Sequence, residues 1–282
     1  MQIIHRLDKL RKARAGLDRG KLALVPTMGA LHEGHLALVR EAKARARHVV
    51  VSIFVNPRQF GANEDLDVYP RQLERDCALL EPLGVDLVWT PSAAEMYPLG
   101  YSTNVSVSGV SDGLCGAERP GHFDGVATVV CKQFNQVRPD LALFGEKDWQ
   151  QLAVVRRMAR DLDLEFPRQI DGCPTVREAD NLALSSRNAY LSAEDRTRAA
   201  ILPAAIKKAV AEISGGKPVA DALKRLTAAL LSGGFTSVDY AELRDAESLA
   251  LLTERPTDFA RLLVAARIGG TRLIDNMEAW SG

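Results

Sequence analysis

The chain has 282 residues, 36 Lys and Arg against 36 Asp and Glu, and 46% hydrophobic residues. That length forms one large domain or two smaller ones and needs no disulfide or metal staple, and the composition excludes a disordered chain. Zero net charge excludes a broad electrostatic grip on nucleic acid, but not a local basic pocket for a small anion. Cys77, Cys115, Cys131 and Cys173 are scattered, with no CxxC pair, as expected of reduced thiols. The first 16 residues lack the apolar core of a signal peptide, and no run of about 18 apolar residues occurs. The expectation is a cytoplasmic protein with neither a membrane nor a nucleic-acid partner.

Strands and helices alternate through the first two thirds. Residues 22–26 (LALVP) read as a buried strand, 34–47 as an amphipathic helix, and 48–55 (HVVVSIFV) as a central parallel strand buried on both faces. Residues 70–83 read as a helix, 85–90 as a strand, 124–137 as a helix ending at Arg138-Pro139, 140–144 as a strand and 148–162 as a helix. This rhythm predicts an α/β, Rossmann-like, doubly wound parallel sheet, whose ligands sit beyond the carboxyl ends of the strands. The last third differs. Helices at about 193–213 and 217–232 precede strands at 236–243, 261–267 and 271–275, with Gly269-Gly270 as a hairpin turn. The expected organisation is a nucleotide-binding domain over 1–175 and a smaller α+β lid or clamp domain with an antiparallel sheet over 176–282.

Four segments carry chemistry. Residues 26–35, Pro-Thr-Met-Gly-Ala-Leu-His-Glu-Gly-His, follow a strand and open a helix, where backbone N–H groups and the helix dipole attract phosphate. His32 and His35 share one helical face and can donate to a phosphate gaining charge. The spacing is one residue short of the zinc-protease pattern and no third ligand is apparent, so phosphate is favoured over metal. After the second strong strand comes Phe-Val-Asn-Pro-Arg-Gln-Phe-Gly, in which Gln59 suits a hydroxylated or carboxylated substrate, or else satisfies its own loop. After the strand at 140–144 comes Gly-Glu-Lys-Asp-Trp-Gln-Gln. Lys147 is a point charge placed for phosphate, Asp148 caps the next helix or binds a ribose hydroxyl, and Gln151 faces the same cleft as Gln59. Residues 182–188, Leu-Ala-Leu-Ser-Ser-Arg-Asn, form either a phosphate clamp or a helix-initiating turn.

Together, in order over about residues 22–191, these segments resemble the pantothenate synthetase (pantoate–β-alanine ligase) family, among the nucleotidyltransferases with a His-x-x-His-type signature. The resemblance implies that pantoate's carboxylate attacks the α-phosphate of ATP. Pantoyl adenylate and pyrophosphate form, and the amine of β-alanine then releases AMP and pantothenate. It implies ATP contacts from Met28, Gly29, Ala30, Leu31, His32, Glu33, Gly34 and His35, from Gly145, Glu146, Lys147 and Asp148, and from Val176, Leu184, Ser185, Ser186 and Arg187. His35 is the family's assigned proton donor, and His32, Lys147 and Arg187 complete the catalytic set. Gln59 is implied to contact pantoate and β-alanine, and Gln151 to contact pantoate. Mg²⁺ is expected on the ATP phosphates rather than in a carboxylate cage, with Asp76 a weak candidate for an outer-shell contact. A homodimer is also implied. Arg58 stands where Met is common in the family, Leu184 where Met is frequent, and Asn181 where Gly is frequent. The competing readings are a relative transferring AMP or CMP to another small acceptor, and a catalytically dead nucleotide-binding module. The first gives no reason for both Gln59 and Gln151, and the second conflicts with an intact His pair and lysine.

Overall fold

A computed structural model describes residues 1–18, 20–61, 64 and 66–280. The elements run β1 (Gln2–Ile4), α1 (Leu7–Ala15), β2 (Leu22–Thr27), α2 (Glu33–Arg45), β3 (His48–Ile53), α3 (Leu73–Leu80), β4 (Leu87–Trp89), α4 (Ala93–Met96), α5 (Leu114–Glu118), α6 (His122–Val137), β5 (Leu141–Gly145), α7 (Trp149–Asp161), β6 (Gln169–Cys173), α8 (Ala193–Ala199), α9 (Ile201–Ser214), α10 (Val219–Ser232), β7 (Ser237–Asp245), β8 (Ala260–Ile268) and β9 (Thr271–Trp280). Six strands form one parallel sheet in the order β1-β4-β3-β2-β5-β6, and β7-β8-β9 form an antiparallel sheet. Strand order reverses direction between β2 and β5, so their carboxyl ends diverge into a crevice.

The parallel sheet is doubly wound because its strands are apolar on both faces. Along β2, Leu22 and Leu24 join Leu10, Phe134 and Met158 in one core, while Ala23 and Val25 join Val39 and Leu80 in another. This period-two split lays α1, α6 and α7 on one face and α2 and α3 on the other. A third core lies between α9 and α10 and one face of the antiparallel sheet, built on Leu202, Ile206, Leu226, Leu262 and Val264. The other face of that sheet packs Tyr240, Leu263 and Ala265 into the first core.

Several elements differ from their sequence readings. The helix expected from residue 70 starts at Leu73 and ends in a 3-10 turn, Glu81–Leu83, because Pro82 cannot continue α-helical hydrogen bonding. The helix expected at 193–213 is two, α8 and α9, broken at Ala200. Pro203, lacking an N–H, cannot bond back to Ala199. The last strand runs on to Trp280. β1 and β6 were not anticipated: they are the sheet's edges, and half-exposed runs such as Gln-Ile-Asp-Gly-Cys carry no apolar period. Gly269 and Gly270 both adopt positive φ, +54° and +77°, as the tight hairpin requires. All four cysteines are free. Among the described residues, no helix is long and apolar enough to cross a membrane.

Candidate active site

The chain leaves β2 at Thr27 and turns through Gly29 and Ala30, with φ of +86° and +50°. A left-handed alanine costs energy and needs an anchor. Asp76, buried on α3, supplies it: one carboxylate oxygen accepts the Ala30 N–H at 2.9 Å and the other the Leu31 N–H at 2.8 Å. The Gly29 N–H donates to Thr27 Oγ1 at 3.3 Å. These loop donors are therefore used internally, which corrects the expectation that they face a phosphate. Asp76 is the anchor of the turn.

The donors come instead from the imidazoles. His32 caps α2, its Nδ1 accepting the Gly34 N–H at 3.1 Å, and His35 Nδ1 accepts the His32 N–H at 3.3 Å. This is a capping box built from two histidines. An accepting Nδ1 carries no proton, so the neutral ring holds its proton on Nε2. Burial, with the Lys147 charge, lowers the His32 pKa to about 4. Burial, with its neighbour His32, lowers that of His35 to about 3. At neutral pH both rings are uncharged, each offering one Nε2–H, and their centroids lie 4.1 Å apart. The pair thus offers N–H donors without charge, and positive charge at the site comes from Lys147 and Arg187. A Cβ on Gly34 would sit 2.9 Å from His32 Cε1, so glycine is what lets the ring fold over the helix start.

His32, Gly34 and His35 face a cavity of about 230 Å³, together with Met28, Gln59, Gly145, Lys147, Asp148, Gln151, Val176, Leu184, Ser185, Ser186 and Arg187. A second cavity of about 550 Å³ shares Lys147, Asp148, Gln151, Ser185 and Arg187 and continues over the antiparallel sheet. Neither cavity is lined by Gly29, Ala30, Leu31, Glu33 or Glu146. Gly29 and Ala30 shape the turn, Leu31 is buried in the core beneath the sheet, Glu33 pairs with Arg40, and Glu146 pairs with Arg261. Lys147 sits in the 3-10 turn after β5 with Nζ 3.6 Å from Asp148 Oδ1. The Ser185 hydroxyl accepts the Arg187 N–H at 3.3 Å and starts the turn Ser186–Tyr190, and Leu184 N–H pairs with the Val176 carbonyl at 3.0 Å.

Gln59 is buried in a braced turn. Its amide donates to Met28 Sδ at 3.0 Å and accepts from Asn56 at 3.1 Å, while Asn56 accepts from the Tyr97 hydroxyl at 2.8 Å. The Gln59 carbonyl accepts from His122 Nδ1 at 2.8 Å and from Arg119 at 3.3 Å. Burial, with the adjacent Arg119 charge, lowers the His122 pKa to about 4, consistent with a neutral ring donating through Nδ1. The wall beside Gln59 is apolar, formed by Val126, Val129, Val130 and Phe144. Gln133 is the polar exception there, donating to Ser52 Oγ at 2.8 Å and leaving its amide oxygen without a partner among the described residues.

The Pantoate-beta-alanine ligase family model matches residues 2–278. The chain belongs to the pantoate–β-alanine ligase family. It is 66% identical over 281 residues to a pantothenate synthetase of Novosphingobium aromaticivorans, covering 98% of both chains. A crystal structure of pantothenate synthetase from Thermus thermophilus superposes with a TM-score of 0.93 at 48% identity, over 99% of this chain and 100% of that one. A pantoate-beta-alanine ligase from Francisella tularensis, complexed with beta-gamma ATP and beta-alanine, gives 0.82 at 34% identity, over 100% and 99%.

Arg58 precedes Gln59 and stands where Met is common in the family. Its guanidinium turns outward, over Tyr97 and Tyr101 at 5.5 and 5.6 Å, and donates to Asn104 at 3.0 Å. Asn181 takes φ +68°, the left-handed conformation a glycine would supply. Sequence reasoning missed the bracing residues Asn56, Arg119 and His122. Asn56 lies in the segment that carries Gln59, and the approach of Arg119 and His122 is spatial: a Cβ on Gly125 would lie 2.2 Å from the Arg58 carbonyl oxygen.

Proposed function

We propose that this ligase condenses pantoate with β-alanine, using ATP and passing through pantoyl adenylate, to give pantothenate, AMP and pyrophosphate. One observation carries the reading. The neutral imidazole N–H donors of His32 and His35, with Lys147 and Arg187, line a single cavity with Gln59, Gln151 and an apolar wall. Pantoate is a carboxylate bearing two hydroxyls and a gem-dimethyl group. Its methyls suit Val126, Val129, Val130 and Phe144, and its hydroxyls suit the amides of Gln59 and Gln151, with the unpartnered Gln133 oxygen as a further acceptor.

A free carboxylate is a poor acylating agent, and a mixed anhydride with AMP gives it a good leaving group. As the carboxylate oxygen attacks the α-phosphorus, negative charge spreads over the phosphate oxygens. His32 and His35 meet that charge with fixed Nε2–H donors, which need no reorganisation during reaction. Lys147 and Arg187 hold the leaving phosphates, with Ser185 and Ser186 beside them. In the second half-reaction the β-alanine nitrogen attacks the acyl carbon, AMP departs, and Gln59 orients both substrates.

The donor set suits magnesium only as an ion carried on the ATP phosphates. Among the described residues no group of three or more His, Cys, Asp or Glu could hold a metal, and Asp148 beside Lys147 can reach one through water. When bound there, Mg²⁺ neutralises charge on the phosphates. The reading extends to a cytoplasmic homodimer, in which residues 1–175 bind nucleotide and pantoate and residues 176–282 form the lid and clamp.

The test is isotope exchange between pyrophosphate and ATP. Exchange should require pantoate, and net AMP should form only when β-alanine is added. Exchange supported by another carboxylate but not by pantoate would reassign the substrate.

A further inference from the structure

We propose that Asp275 and Asn276, adjacent on β9, are positioning residues that fix where Lys147 and the Ser185–Arg187 clamp stand relative to each other. This rests on the phosphate role proposed above for those two groups. Asp275 and Asn276 are 2% and 3% exposed, and two consecutive polar residues buried this deeply need full compensation. Both have it, and every partner leads to the site.

The Asn276 side-chain amide donates to the carbonyls of Glu146 and Lys147, at 2.9 Å each. Those carbonyls flank the Lys147 Cα, so holding both fixes the backbone from which the lysine stem departs. The Asn276 amide oxygen accepts from Arg261 at 2.6 Å, and Arg261 also pairs with Glu146 at 2.9 Å and stacks 3.6 Å over the Trp149 ring. The lysine turn has no side-chain cap at Gly145, and the antiparallel sheet holds it at its carbonyls.

Asp275 serves the other grip. Its carboxylate binds the Arg177 guanidinium at 2.7 and 2.9 Å and accepts the Asn276 N–H at 2.7 Å. Arg177 donates onward to the Asn181 carbonyl at 3.0 Å. It lies on one arm of a short hairpin: Arg177 bridges Ala183, Glu178 N–H bonds Leu182, and Leu184 N–H bonds Val176. The arm paired with it, residues 182–184, leads directly to Ser185, Ser186 and Arg187. One dipeptide therefore ties together two phosphate grips that are separated in sequence.

The experiment uses Asn276→Asp and Asp275→Asn in the full chain, each alone and combined with Lys147→Ala or Arg187→Ala. Asn276→Asp keeps shape and the Arg261 contact, but replaces the amide donor with an oxygen facing two carbonyls. Pantoate-dependent exchange at saturating ATP should slow about tenfold to a hundredfold, as for a displaced catalytic group, with the pantoate KM changed less than about twofold. In the Lys147→Ala background the same substitution should cost less than about twofold, because the group it positions is gone. Asp275→Asn should behave likewise, masked by Arg187→Ala, and it carries the test if Asn276→Asp fails to fold. Unchanged exchange in both variants, or equal losses with and without the partner substitution, overturns the positioning role while leaving the pantoate reading intact. No exchange in the unsubstituted protein overturns the pantoate reading and this inference with it.

Discussion

At the residue scale, His32 and His35 divide their two ring nitrogens between structure and chemistry. Each Nδ1 satisfies a backbone N–H at the start of α2, and that bond fixes the tautomer that leaves Nε2–H toward the cavity. His35→Ala removes the donor proposed for the transition state and frees the His32 N–H as well. Adenylate formation should slow on the order of 10²–10³, measured by pyrophosphate exchange, with an unchanged far-ultraviolet dichroism spectrum. A loss within about tenfold would place His35 outside the transition state. The spacing of the two histidines was legible in the sequence. Their neutrality was not, because it comes from burial under residues distant in the chain, and charge at the cavity falls to Lys147 and Arg187.

At the scale of elements, the site depends on how closely α6 approaches the turn carrying Gln59. Gly125 makes that approach possible: a Cβ there would lie 2.2 Å from the Arg58 carbonyl oxygen and 2.7 Å from Gln59 Cα. The neighbouring Asn56 and His122 then lock the turn against the helix. Gly125→Ala must push helix and turn apart, at about 1–3 kcal/mol for an overpacked contact. Urea denaturation should show that loss, and kinetics should show a raised pantoate KM with the ATP KM little changed. An unaltered pantoate KM would mean that Gln59 tolerates the shift. The alternation of elements was readable from apolar periodicity, and the misreadings have local causes. Pro82 and Pro203 end or break helices inside otherwise helical patterns, and β1 and β6 are half-exposed edges without an apolar period.

At the scale of the whole molecule, three half-buried histidines contribute to the acid response. His32, His35 and His122 have folded pKa values of about 4, 3 and 4 against the ordinary 6.5. Between 6.5 and those values the unfolded chain binds protons that the folded chain refuses. Their contribution is therefore complete above pH 6.5 and is lost as pH falls toward 4. The urea midpoint should drop between pH 7 and pH 5, and a variant with all three replaced by Gln should show a flatter slope over that window. A slope unchanged by the replacement would contradict the neutral assignment. The sequence by itself determined the fold class, the family and the four segments that meet at the crevice, because strand periodicity and short-range spacing are local properties. Only the tertiary structure decided which groups are charged, which backbone donors are already spent on Asp76, and how the final third joins the site through Asp275 and Asn276. Burial and long-range hydrogen bonds decide those, between residues up to about 130 positions apart.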